Sequence, residues 1–166
     1  QEPVSERTPI FRNIHISNMT GTEVKAAGGI RGIPEMPVSD ISINNVNIQA
    51  ENGFFIQEAK NVTISDFIVN SDKGPVLDVR NSEELYFDNV RTMEVNDQVP
   101  VIRMENAKNV FITNCFPKAG SAAFLELRGA ETEKVVLQGN YLDRMGTKLM
   151  VAPEVMKKRN ALILLK

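Results

Sequence analysis

The chain has 166 residues, of which 42% are hydrophobic and 24% are charged, and its formal net charge is −2. These values are typical of a globular domain with its own core. They give no electrostatic reason to expect nucleic acid or a membrane surface as a partner. Cys115 is the only cysteine, so an internal disulfide is excluded.

One seven-residue pattern recurs six times along the chain. Its second and fourth positions are apolar in every copy, and the positions between them are mostly polar. This alternation predicts a strand with one buried face in each copy. The six copies are NIHISNM (13–19), DISINNV (40–46), NVTISDF (61–67), ELYFDNV (84–90), NVFITNC (109–115) and KVVLQGN (134–140).

The sixth position of the pattern holds Asn, Asp or Gly in every copy. These residues tolerate a left-handed backbone best, so the position predicts a corner at which every coil makes the same turn. An apolar seventh position in five of the six copies indicates a second short strand after the corner. The corner residues are Asn18, Asn45, Asp66, Asn89, Asn114 and Gly139.

A third alternating strand precedes each of the four later copies, as in GFFIQEA (53–59) and GPVLDVRN (74–81). Three strands per coil and a period of roughly 20–27 residues are typical of a β-solenoid. We therefore predict an all-β fold, a right-handed parallel β-helix of about six coils, as a single domain over residues 1–166. A leucine-rich repeat stays open as an alternative, because its period and its Asn position are similar.

The outward residues of this third strand alternate in charge from coil to coil. Two interpretations remain open. One is a solvated face with offsetting charges, in which each exposed pair contributes about 0–1 kcal/mol. The other is a polar binding surface. The two predicted columns are Asp78, Arg103 and Glu126, and beside them Arg80, Glu105 and Arg128.

The repeat coils occupy residues 8–140 and are interrupted once. Residues 20–37 are rich in Gly and Pro, which predicts an inserted loop. Residues 141–166 end in the apolar stretch ALILL, which we expect to form a last strand in a C-terminal cap over the final coil. No comparable cap precedes the first coil. We therefore expect an interior coil cut open, available to an N-terminal part of the same protein or to an end-to-end oligomer.

Three segments together resemble bacterial members of glycoside hydrolase family 28, the polygalacturonase family. They are TPIFRNIHISNMTG (8–21), GIPEMPVSDISINNV (32–46) and LRGAETEKVVLQGNYLDR (127–144). The resemblance extends over nearly the whole chain and corresponds to the C-terminal part of such proteins. It implies hydrolysis of pectic polysaccharide with inversion, and an extracellular or periplasmic location.

The resemblance does not extend to the catalytic motifs of the family. That family supplies its acid and its base from Asn-Thr-Asp and Asp-Asp motifs, with His-Gly and Arg-Ile-Lys motifs nearby, and none of them occurs in this chain. We therefore predict no catalytic residue here, expect the chain to be inactive alone, and expect the catalytic carboxylates upstream. The alternative is a non-catalytic carbohydrate-binding or structural β-helix.

The family's Arg-Ile-Lys motif lies on a strand shaped like Asp78-Val79-Arg80, with its first and third residues outward. By that analogy, the outward side chains of the third strand flank a sugar-binding cleft. Arginine suits the carboxylate of a galacturonate because it can bind in bidentate fashion. The candidate substrate-binding residues are Gln57, Asp78, Arg80, Arg103 and Glu105.

No residue pattern indicates a cofactor or a metal site. His15 has no Cys or His partners nearby in the sequence, and Cys115 occupies a predicted core position. Gly28 and Gly29 lack the spacing and the following helix of a phosphate-binding loop. Pectic polysaccharide is therefore the expected partner, and neither nucleic acid nor a membrane is expected.

Overall fold

Parallel strands stack coil over coil in the computed structural model, which describes residues 4, 5 and 8–165. The result is a parallel β-solenoid of about six turns, as the sequence predicts. The longer strands pass through the coil corners without leaving the ladder. The elements are β1 (Arg12–Arg31), β2 (Val38–Gln57), β3 (Ala59–Ser71), β4 (Leu77–Arg91), β5 (Pro100–Thr113), β6 (Ala123–Arg128), β7 (Glu133–Gln138), β8 (Leu149–Val151), α1 (Pro153–Met156) and β9 (Leu162–Leu165).

Helix contributes almost nothing to the described part of the chain. The single helix, α1, has four residues, and nothing helical in residues 8–165 has the length and apolar character needed to cross a membrane. The leucine-rich alternative requires a helical segment in many of its repeats, whereas the coils here consist of strands and corners. That alternative is therefore wrong.

The six copies of the pattern stack in the predicted register. Their second positions pair Cα to Cα from coil to coil, and their fourth positions do the same. These two columns fill the interior, so that Val62 and Ile64 of β3, for example, are fully buried. The second-position column runs Ile14, Ile41, Val62, Leu85, Val110 and Val135.

The predicted corners are left-handed in all six copies, with φ between 48° at Asp66 and 63° at Gly139. This conformation costs a residue other than glycine about 1–2 kcal/mol. Asn and Asp partly offset that cost because their side chains form hydrogen bonds with the equivalent corner residue of the adjacent coil. The amide Nδ2 of Asn89 donates to Oδ1 of Asp66 at 2.7 Å, and Asn45 donates to Asn18 at the same distance.

Each complete coil also has two left-handed corners that were not predicted from the sequence. The first position of the pattern is left-handed in every copy, including Glu84 and Lys134. A third corner lies just before it, at Glu58, Asn81 and equivalent residues. Four of the six first positions are Asn or Asp, and Asn81, Asn106 and Gly129 occupy the third corner, so both columns carry the same residue-type signal as the sixth position, with Glu58, Glu84 and Lys134 as exceptions.

The predicted loop over residues 20–37 is wrong for most of its length. Residues 20–31 belong to β1 and pair with β2 as far as Arg31 and Gln57. Gly29 serves packing rather than a turn, because a Cβ there would lie 2.1 Å from the ring of Phe55 in the next coil. Only residues 32–37 leave the ladder, in a turn closed by an antiparallel bridge between Ile33 and Met36.

The C-terminal residues 141–165 form part of a further coil. The predicted last strand exists as β9 and covers the final copy of the repeat by pairing in register with β7, placing Leu162 beside Val135. A strand in register covers the coil before it and leaves its own far edge open. Val135 is therefore fully buried, whereas Leu164 is 63% exposed. At the other end, the inward residues Ile14 and Ile16 of β1 are 36% and 37% exposed.

Candidate functional site

The five predicted site residues lie together on one face of the solenoid. Gln57 of β2 stacks with Arg80 of β4 and Glu105 of β5, and Asp78 stacks with Arg103. The columns continue into β6, where Glu126 follows Arg103 and Arg128 follows Glu105. We refer to these side chains as the charged face: Gln57, Asp78, Arg80, Arg103, Glu105, Glu126 and Arg128.

Glu126 is the buried anchor of the charged face, with a side chain only 8% exposed. Arg103 donates from Nε to its Oε2 at 2.7 Å, and Arg128 donates from Nε to its Oε1 at 2.8 Å. Burial opposes ionisation of this carboxyl, but the two arginine hydrogen bonds outweigh burial and hold its pKa below the ordinary value. Glu126 is thus an ionised group that fixes two guanidinium groups.

Arg80 and Asp78 form a second, more exposed pair within β4. The guanidinium binds the carboxylate through Nε at 3.2 Å and Nη2 at 2.9 Å. Hydrogen bonding to Asp78 raises the pKa of Arg80, and the nearby charge of Glu105 adds to the effect. The side chains whose charges alternate along the sequence therefore form ion pairs, both within a strand and between coils.

A depression of about 260 Å³ lies beside the charged face, and Asp78 and Arg103 line it. Phe55, which stacks in the same column as Asp78, contributes an aromatic side chain to its wall. The guanidinium carbon of Arg31 lies 4.9 Å from the centre of the Phe55 ring. Lys73 also lines the depression and is ion-paired with Glu51. The site therefore combines an aromatic ring, cationic groups and one carboxylate.

Sequence reasoning missed three contributors to this site. The alternation in GFFIQEA does place Phe55 outward, and that signal was available. Arg31 fell in a segment predicted to be a loop, so its place beside Phe55 could not be foreseen. Lys73 comes from the turn between β3 and β4, whose path depends on contacts with the previous coil, such as the bond from its backbone N–H to the carbonyl of Glu51.

The carboxyl groups with a lowered pKa are poor candidates for a general acid, which needs a pKa raised towards neutrality. In Asp40 hydrogen bonds from Asn61 and Ser39 lower the pKa, and in Glu131 the bond from Lys108 does so. Glu126 belongs to the same class. These groups are therefore suited to ion pairing and hydrogen bonding rather than to donating a proton.

The remaining candidates of the sequence lie away from the charged face or in the core. His15 is exposed on β1, and Cys115 is buried, with burial raising the pKa of its thiol to about 12. Within residues 4, 5 and 8–165, no group of three or more His, Cys, Asp or Glu side chains is arranged to hold a metal ion.

Comparison of the chain with protein-family models, with curated proteins and with solved structures gives no significant match.

Proposed function

We propose that this chain is the C-terminal β-solenoid segment of a pectin-degrading hydrolase similar to polygalacturonases. The carboxylates that cleave the glycosidic bond lie upstream in this proposal, and the charged face continues the wall of the substrate cleft. The protein acts outside the cytoplasm, where pectic polysaccharide is found.

The charged face is the observation that carries the proposal. Polygalacturonate presents one carboxylate per sugar, and arginine binds carboxylates in bidentate fashion. Arg103 is held by the buried carboxylate of Glu126, and it borders a depression that also contains Lys73 and Phe55. Cationic groups fixed beside an aromatic ring are suited to an acidic sugar, because they need little reordering when it binds.

The electrostatics of the charged face also fit the proposal. The lowered pKa of Glu126 is consistent with a supporting role, since a general acid needs the opposite shift.

A second candidate is a structural or non-catalytic carbohydrate-binding β-helix. The observation in its favour is that the charges pair with one another: Arg80 with Asp78, and Arg103 and Arg128 with Glu126. Side chains whose charges already pair with one another need no ligand, as expected for a face with a purely structural role. A binding measurement separates the two roles.

Calorimetric titration with hexagalacturonate tests the proposed binding role. We expect saturable binding that Arg103→Ala and Arg80→Ala each weaken. The matched control Arg159→Ala removes an exposed arginine far along the chain and should leave binding unchanged. The chain alone should release no reducing ends from polygalacturonate. Absence of binding, or equal binding by all three variants, would favour the structural role, and cleavage by the chain alone would contradict the proposal.

A further inference from the structure

A second face of the solenoid carries no lysine, arginine, aspartate or glutamate over three successive coils. It consists of the outward side chains of the motif strands in β1, β2 and β3, which stack directly from coil to coil. The charged face described above has a charged side chain at six of its seven positions, so the two faces differ sharply in polarity. We refer to it as the neutral face: His15, Ser17, Ser42, Asn44, Thr63 and Ser65.

The ring of Tyr86 stands at one end of the neutral face. Tyr86 follows Thr63 in the same column and is 40% exposed. Phe111 of the next coil stacks against it, with ring centres 5.9 Å apart and planes inclined by 10°. The Tyr86 hydroxyl oxygen lies 3.4 Å from Oγ1 of Thr113. One face of the ring is therefore covered by Phe111, the residue remains 40% exposed, and in the preceding coil the column continues with the shorter side chain of Thr63.

This arrangement makes a step, with a floor of hydroxyl and amide groups and an aromatic wall. Adjacent coils are about 4.8 Å apart, so the floor offers donors and acceptors at regular intervals along the solenoid axis. A sugar ring has the matching chemistry, because its C–H groups pack on an aromatic ring while its hydroxyls bond to Ser, Thr and Asn.

The charges around the step select against an anionic ligand. The side chain that follows Ser65 in its column is Asp88, and Asp66 occupies the adjacent corner. A polyanion would be repelled by these carboxylates, and the neutral face has no Lys or Arg to offset the loss of its hydration. An uncharged chain meets neither penalty. The same argument disfavours nucleic acid, whose binding depends on neutralised phosphates.

We propose that the step formed by Tyr86 and the neutral face binds an uncharged polysaccharide chain, with one sugar ring packed against Tyr86 above Thr63. This site involves none of the residues of the charged face. It is independent of the proposed function, and either one can fail without the other.

Tyrosine fluorescence gives a direct test. The chain has two tyrosines and no tryptophan, so Tyr141→Phe leaves Tyr86 as the only emitter. We expect a saturable change in emission with at least one of cellohexaose, mannohexaose and galactohexaose, and no change with hexagalacturonate. A lack of response to all three neutral hexaoses overturns the proposal, as does a response to hexagalacturonate alone.

Variants locate the binding by calorimetry. Tyr86→Ala should weaken the binding of the responding hexaose about tenfold, equivalent to roughly 1.4 kcal/mol, whereas Tyr86→Phe, which keeps the ring, should change it little. Thr63→Glu leaves the ring in place and fills the step with a charge, so it should abolish binding. Tyr141→Ala, at an equally exposed tyrosine elsewhere, is the matched control. Undiminished binding by Tyr86→Ala or by Thr63→Glu contradicts the site.

Discussion

Arg103 of β5 donates a hydrogen bond of 2.7 Å to Glu126, which lies one coil further along the solenoid. Arg128 binds the other oxygen of the same carboxylate from within its own strand. A single buried carboxylate thus links two coils and orients two arginines. The charged face depends on it more than on any of its exposed pairs.

Glu126→Gln should lower the free energy of unfolding by about 2 kcal/mol, because it leaves two guanidinium groups beside a buried neutral amide. Equilibrium unfolding in urea measures the change. Glu131→Gln is the matched control: it breaks the ion pair with Lys108, but its side chain is largely exposed, so we expect a much smaller loss of stability. Equal losses in the two variants would contradict the anchoring role of Glu126.

Acidification should destabilise the protein through the same group. The folded pKa of Glu126 lies below its reference value of 4.5, so in acid the unfolded chain takes up a proton before the folded protein does. The stability that Glu126 contributes is complete above its unfolded pKa and is lost as the pH falls through the folded pKa. Between about pH 6 and about pH 3, the free energy of unfolding should therefore fall more in the wild-type protein than in Glu126→Gln. Identical pH dependence in the two proteins would show that another group dominates.

Alanine substitutions at Gly53, Gly29 and Gly146 should lower the free energy of unfolding by different amounts, with the largest loss at Gly53 and the smallest at Gly146. At Gly53 a Cβ would lie 1.9 Å from the carbonyl oxygen of Pro75, which is backbone and cannot move aside, so we expect a loss of about 3 kcal/mol. At Gly29 the obstacle is the half-buried ring of Phe55, which can turn outward, so about 1 kcal/mol is expected. Gly146 has open space and is the control. Thermal or urea unfolding gives the ranking, and a loss at Gly29 as large as that at Gly53 would show that the ring is fixed.

The left-handed corner at Asn89 can be tested with two substitutions at one position. Both Asn89→Ala and Asn89→Gly lose the hydrogen bond to Asp66, but only alanine carries the left-handed penalty of about 1–2 kcal/mol, which exceeds the unfolded-state entropy that glycine adds. Asn89→Gly should therefore be the more stable variant. At Asn44, an exposed strand residue without a positive φ, the order should reverse. The same order at both positions would contradict the corner assignment.

Local alternation was sufficient to predict the strands, the register of the six copies and one of the three corners. Those features depend on a period that each coil repeats, as the stacking of Val62, Leu85 and Val110 illustrates. The charged face followed from the same period, because the outward residues of one strand stack on those of the next.

Most of the features that were missed depend on contacts between coils that residue type does not encode. Gly29 looks like a turn residue, yet it lies within a strand, where the ring of Phe55 packs against the preceding coil. Glu84 and Lys134 are left-handed in a column whose other members are Asn or Asp, so the corner follows from the aligned column and not from these two residues taken singly. The strand β9 over the final coil was expected, but its exact register with β7 depends on pairing that an apolar stretch does not specify.

The short turn at residues 32–37 has a consequence for changes in chain length. Gly32 donates from its N–H to the carbonyl of Gln57, and six residues later Val38 donates to the carbonyl of Glu58. The hydrogen-bond ladder between the two coils therefore continues on both sides of residues 32–37, and this insertion does not interrupt it. The equivalent corner in later coils, such as the one after Asn81, is thus a natural position for inserting loops of new specificity, because the strands on either side keep their partners.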